Sequence, residues 1–166
     1  MGSGKSSIAK LLHEKLHFPI KDTDLLIEAK WGKKIPAIFK DEGEEKFREY
    51  ETQILKDLLK DDSVVIATGG GIIEKEANHA LLKSNSVVFY LRTTPENVLK
   101  FTAGDLNRPL LQVKDPLSFV TEKLNKREPK YIQLSDYQVD TYNQSLEAST
   151  ATIINYLKLF PPFNLC

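Results

Sequence analysis

From Lys5 to Leu16 the apolar positions Ile8, Leu11, Leu12 and Leu16 return every three or four residues, which puts them on one face of a helix. The same rhythm runs from Asp24 to Trp31, where Gly32 can stop it. It returns from Glu44 to Leu59, with Phe47, Tyr50, Ile54, Leu55, Leu58 and Leu59 as the buried stripe. Pro36 suits a first helical position between these two, and Gly43 interrupts that short helix. Ser63 to Thr68 follows another rule. Ser-Val-Val-Ile-Ala-Thr is a continuous β-branched run, as a strand covered on both faces requires.

Val87 to Leu91 predicts a second buried strand and Tyr137 to Asp140 a short last one. Phe18 to Lys21 is a brief apolar stretch that runs into Asp22-Thr23-Asp24. Further helices are predicted over Glu76 to Lys83, from Thr94-Pro95, from Asp115-Pro116 to about Tyr131, and from Ser145 to Leu159. Strands alternating with helices predict an α/β fold with a parallel sheet.

Composition narrows the picture in three ways. The 166 residues suit one domain, and Lys+Arg and Asp+Glu balance at 23 each, so no global charge argues for nucleic acid or a membrane surface. Any anion site must come from locally placed basic residues. The one cysteine, Cys166, excludes an intramolecular disulfide and a cysteine-rich metal site. No apolar run approaches the ~20 residues of a membrane helix, and no secretory signal pattern opens the chain. A cytoplasmic location is expected.

Several segments carry candidate chemistry. Gly2-Ser3-Gly4-Lys5-Ser6-Ser7 is the back half of a phosphate-binding loop, G-x-x-x-x-G-K-[S/T]. Backbone N–H groups of such a loop cradle phosphates, the lysine reaches the β- and γ-phosphates, and the hydroxyl meets Mg²⁺. The bland reading is a glycine turn capping a helix, with Lys5 solvated. Asp22 and Asp24 end a strand, where ligands of open α/β sheets bind. One can hold Mg²⁺ while the other accepts a proton from an attacking hydroxyl. An N-cap and a turn acid would use the same residues.

Arg48 reads equally as a functional cation or as a helical arginine paired with Glu44 or Glu45. Gly69-Gly70-Gly71 after a buried strand wastes conformational entropy unless the backbone must approach a ligand closely. Thr102 to Leu111 is a polar segment with Arg108 in its middle, read as a closing lid or as an ordinary surface loop. Lys126-Arg127-Glu128-Pro129 ends a helix with basic residues, a common complement to the helix dipole.

In order and separation these segments resemble shikimate kinases. The resemblance rests on Gly2–Ser7, Asp22–Asp24, Phe47-Arg48-Glu49-Tyr50-Glu51, Gly69–Gly71, Arg108–Leu111 and Arg127–Tyr131, and spans Gly2 to about Thr141. It implies a three-layer α/β/α P-loop kinase of the nucleoside-monophosphate-kinase-like fold, in which residues 1–166 form one domain with a lid at about 102–114. The implied reaction moves the γ-phosphoryl group of ATP to the 3-hydroxyl of shikimate, on the route to chorismate and the aromatic amino acids. ATP and Mg²⁺ are the implied cofactors, shikimate and ATP the partners, and a monomer the expected state.

By the same resemblance, Gly2, Ser3, Gly4, Lys5, Ser6 and Ser7 bind nucleotide, with Phe101 and Arg108 beside it. Ser6 and Asp22 meet the metal. Asp22, Asp24, Arg48, Gly69, Gly70, Gly71 and Arg127 bind shikimate, with Arg48 and Arg127 on its carboxylate. Lys5, Asp24 and Arg108 are the catalytic set, Asp24 as the base. The alternatives are a P-loop kinase for another small carboxylated polyol such as gluconate, or a weakly active or non-catalytic relative.

Three features depart from the family pattern. Phe101 stands where many relatives have an arginine along the adenine, and Ala9 replaces a frequent glycine. The family's five-stranded sheet also has its first strand in the middle, between those matching Ser63–Thr68 and Val87–Leu91, and nothing before Gly2 supplies it. Met1 then reads as an internal residue of the phosphate loop. Unpaired buried backbone groups cost ~1–3 kcal/mol each, and several rival a domain stability of ~5–15 kcal/mol. Residues 1–166 alone are therefore expected to fold poorly and turn over little. A cooperative melt with normal kinase turnover from residues 1–166 alone overturns that expectation.

Overall fold

The computed structural model describes residues 2–61, 63–102 and 115–159. Helix α1 (Lys5–Leu16) leads to strand β1 (Ile20–Asp22), then α2 (Thr23–Trp31), α3 (Ile35–Asp41) and α4 (Gly43–Leu58). Strand β2 (Val65–Ala67), a one-turn 3₁₀ segment (Ile72–Glu74) and α5 (Glu76–Asn85) follow. The chain continues through β3 (Phe89–Arg92), α6 (Pro95–Thr102), α7 (Pro116–Leu134), β4 (Tyr137–Asp140) and α8 (Leu146–Leu157).

The strands pair in parallel as two couples, β1 with β2 (Ile20 beside Val65) and β3 with β4 (Phe89 beside Tyr137). Among the described residues β2 and β3 are not paired with each other. The expected order likewise makes them non-adjacent, because it sets a further strand between them.

Alternation along the strands sorts their side chains into two helical layers. Val65, Phe89 and Leu91 pack with Ile8 and Leu12 of α1 and Ile153 and Leu157 of α8. On the opposite side Ile66 meets Ile27, Ile38, Phe47 and Ile54 of α2, α3 and α4. Val88 lies there against Leu55, Leu82 and Leu134, and Tyr90 stacks on Tyr131 of α7 with ring centroids 4.7 Å apart. Helices therefore cover both faces of the strands, as the α/β reading requires.

Two boundaries differ from the pattern. β2 is shorter than Ser63 to Thr68 because Ser63 turns with φ at 55°, in the left-handed region that ends extended pairing. α7 does not stop at a basic C-terminus. It continues through Pro129 to Leu134, although proline deprives the carbonyl of Asn125 of its helical donor. Burial of Leu134 and the packing of Tyr131 beside it hold the last turn in place. Arg127 consequently sits within the helix rather than at its end. At the close of β3, Arg92 bonds Glu128 of α7 and Asp140 of β4, both at 3.3 Å, and so fastens α7 over the strand ends.

Candidate active site

Three loops meet beyond the carboxyl ends of β1 and β2. The first is the turn into α1, where Gly2 and Gly4 have φ of 63° and 78°. A side chain at Gly2 would also strike the Val98 backbone of α6, with Cα only 2.7 Å from a Cβ there. Glycine is thus required twice over at Gly2, by conformation and by space. Ser3 follows Gly2 in this turn, and Ser6 and Ser7 are exposed in the first turn of α1. Lys5 reaches across to Asp22, its Nζ 3.1 Å from Oδ2.

Asp22 caps α2: Oδ1 accepts the N–H groups of Asp24 at 3.0 Å and Leu25 at 3.4 Å. One carboxylate thus starts a helix and holds the loop lysine. Thr23, fully buried, accepts the Gly69 N–H at 3.2 Å and donates to the Ala67 carbonyl at 3.5 Å. It ties the start of α2 to the glycine loop after β2. Tyr131 fixes the same loop from α7, donating to the Gly70 carbonyl at 2.6 Å.

The glycines there face charged side chains directly. A Cβ at Gly69 would lie 2.9 Å from Asp24 Oδ1 and 3.1 Å from Glu51 Oε1, and one at Gly71 would collide with the Arg48 guanidinium. Asp24 and Glu51 therefore converge on one spot above Gly69. Their oxygens are no farther apart than those two distances together.

Arg48 lies between Glu51 and Glu44, donating to each at 2.6 Å. Burial opposes the Arg48 charge, but these carboxylates outweigh it and raise its pKa. Glu51 is fully buried, and burial pushes its carboxyl up to about 7 against the pull of Arg48. Glu51 Oε1 and Arg48 Nε have no hydrogen-bond partner among the described residues. Arg127 donates from Nε to Glu74 at 2.7 Å, and Lys130 reaches the same carboxylate at 3.3 Å. Burial acts to raise the Glu74 carboxyl, yet the Arg127 bond leaves it below its usual value. Both arginines border one cleft of about 520 Å³, lined by five basic and three acidic side chains.

The structure thus brings Asp22, Asp24, Arg48, Gly69, Gly70 and Gly71 together, with Arg127 across the cleft. Phe101 is two-thirds exposed at the end of α6, with Lys100 Nζ 5.8 Å from its ring centroid. Arg108 and the lid, apart from the helical Thr102, lie outside the described residues. Among the described residues no group of three or more His, Cys, Asp and Glu side chains could hold a metal ion by itself. Sequence reasoning missed Thr23, Glu74 and Lys123. Thr23 sits inside the Asp-x-Asp motif, Glu74 shortly after the glycines, and Lys123 one helical turn before Arg127. Spacing was the available signal in each case.

The Glu51 carboxyl implies a pH dependence. Its folded pKa lies above the ordinary 4.5, so between about 4.5 and 7 the folded state binds more protons and this group's contribution to stability falls as pH rises. Glu51→Gln should therefore melt progressively higher relative to the wild type between pH 5 and 7.5. A difference independent of pH would show that this carboxyl is not shifted upward.

Residues 1–158 match the family model described as shikimate kinase. A shikimate kinase of Thioalkalivibrio sulfidiphilus is 40% identical over 159 residues, covering 96% of this chain and 84% of its own. One from Pseudomonas paraeruginosa is 39% identical over 162 residues, covering 98% and 94%. Among solved structures, shikimate kinase of Acinetobacter baumannii in complex with shikimate superimposes with a TM-score of 0.87 at 38% identity, covering all of this chain and 91% of that one. The enzyme from Bacteroides thetaiotaomicron gives the same TM-score at 28% identity, with coverage of 95% and 94%. On the family match over nearly its whole length, this chain belongs to the shikimate kinase family.

Proposed function

We propose that this protein phosphorylates the 3-hydroxyl of shikimate with ATP, giving shikimate 3-phosphate and ADP. The observation that carries the reading is the pairing of Asp24 over Gly69 with two part-buried arginines bordering one cleft. A small carboxylated polyol needs both: hydroxyls suit carboxylate acceptors, and a carboxylate suits the planar fork of arginine. In this reading Arg48 and Arg127 grip the carboxylate and the backbone of Gly70 and Gly71 assists. Asp24 orients the 3-hydroxyl and takes its proton as the hydroxyl oxygen attacks phosphorus. Phosphoryl transfer asks mainly for positioning and charge stabilisation, which such a fixed set supplies.

At the nucleotide side, Gly2 to Ser7 cradle the phosphates and Lys5 leaves Asp22 for the β- and γ-oxygens. The exposed Ser6 hydroxyl and the Asp22 carboxylate are hard oxygen donors, too few alone for an octahedral ion but suited to Mg²⁺ that arrives with ATP. Bound there, Mg²⁺ supplies charge neutralisation at the phosphate oxygens. Arg108 acts in the same sense from the lid, and Phe101 stacks on the adenine. The proposed setting is one domain over residues 1–166, a monomer in the cytoplasm. No helix among the described residues is long and apolar enough to cross a membrane.

Coupled measurement of ADP release tests the reaction: shikimate should support turnover and gluconate should not replace it. Asp24→Asn should lose turnover while ATP binding is largely kept, and unchanged turnover would remove Asp24 as the base. Arg127→Ala should raise the KM for shikimate far more than that for ATP. Equal weakening of both would rule out the carboxylate clamp.

A further inference from the structure

The arginines of the cleft are already committed to carboxylates of the protein. Arg48 is held by Glu44 and Glu51, and Arg127 by Glu74. Their positive charge is largely offset before any ligand arrives. The excess of positive charge lies with three lysines of the lining, Lys75, Lys123 and Lys126. Lys126 is exposed, and Lys75 lies in the field of Glu49. Lys123 differs from both. It is half-buried on α7, one turn before Arg127, with its ammonium 5.3 Å from the Phe119 ring centroid. Among the described residues no carboxylate lies within 4.0 Å of it.

Two like charges at i and i+4 repel, so Lys123 and Arg127 oppose each other on the same helical face. The groups facing Lys123 are Arg127 on its own helix, Arg48 and Glu44 on α4, and Glu74 in the 3₁₀ segment. Burial and then Arg127 depress the Lys123 pKa, with Arg48 adding to them and the two carboxylates opposing. A cation kept part-dry beside two others, with no ion-pair partner among the described residues, is stabilised by an incoming anion.

We infer that Lys123 is a specificity-determining residue for the acceptor: it supplies the uncompensated positive charge that selects a carboxylate in the cleft, while Arg48 and Arg127 fix that carboxylate's orientation. This inference rests on the proposed reaction. It assigns separate duties to lysine and arginine. The arginines, pre-paired and held, lose little freedom on binding. Lys123 changes the electrostatic balance of the cleft by one full charge.

The test compares wild type, Lys123→Gln and Lys123→Arg in the whole protein, with shikimate and its uncharged carboxamide as acceptors. Lys123→Gln should raise the KM for shikimate about five- to tenfold, with kcat and the KM for ATP held. Its preference for the acid over the carboxamide should shrink by the same factor. Lys123→Arg should restore both. In the wild type the KM for shikimate should rise as pH climbs through the Lys123 pKa, and this rise should vanish in Lys123→Arg. A misfolded Lys123→Gln would lower kcat and both affinities together, a pattern the acid-to-amide ratio does not mimic.

The inference is overturned if Lys123→Gln keeps the acid-to-amide preference while Arg127→Ala loses it, and the proposed reaction then stands. If the wild-type protein phosphorylates neither acceptor, the reaction itself is wrong.

Discussion

The site depends on one buried ion pair, Glu51 with Arg48 on α4. A charge with no exposed surface is tolerable only when paired, and removing one partner of such a pair costs about 3–5 kcal/mol. Here the pair also abuts the glycine loop, and its Arg48 borders the cleft. Gly71 exists without a side chain because the guanidinium occupies that space, and Gly69 because Glu51 and Asp24 do. The glycine loop, the acid at the start of α2 and the arginine of α4 therefore fit each other as one unit. None can be enlarged independently.

A second constraint works at the phosphate loop. Lys5 and Asp22 hold each other at 3.1 Å while Asp22 caps α2. The lysine of this loop is thereby kept in place with its charge partly met. In the proposed reaction nucleotide phosphates, which carry more negative charge than one carboxylate, displace it, and Asp22 is released on its Oδ2 side while Oδ1 keeps the cap. On that reading the exchange couples nucleotide arrival to the start of α2, where Asp24 stands.

Most of this was legible in the sequence. The 3.6-residue rhythm found the helices because their apolar faces are their main stabilisation, and the β-branched run Ser63 to Thr68 marked a strand covered on both faces. Glycine punctuation was informative because Gly2 and Gly4 take a left-handed φ and Gly69 and Gly71 have neighbours that a side chain would strike. The failures are physical too. The helix expected to about Tyr131 runs on to Leu134, because burial of Leu134 offsets the hydrogen bond lost at Pro129. Thr23 and Glu74 were overlooked because a hydroxyl bridging two loops and a counter-ion on a 3₁₀ turn have no periodicity. Arg48 shows where pattern reading stops: pairing with Glu44 was anticipated, but burial of Glu51 can be known only once α4 packs over the glycines.

On the proposed reading, these pairings also explain how a balanced chain builds an anion site. Free arginines would attract a carboxylate strongly but would lose conformational freedom in gripping it. Arginines tied to Glu51, Glu44 and Glu74 have already lost that freedom during folding, at the expense of net charge. Lysines on the same walls return the charge without disturbing the geometry. In the inferred division of labour Lys123 is the effective one, because a half-buried ammonium is less screened than an exposed one. Orientation and attraction then come from different side chains, and each can change without undoing the other. A cleft built in this way can alter its preference for charged acceptors by substitution on α7 alone, leaving Asp24, Gly69 and the buried pair beneath them as they are.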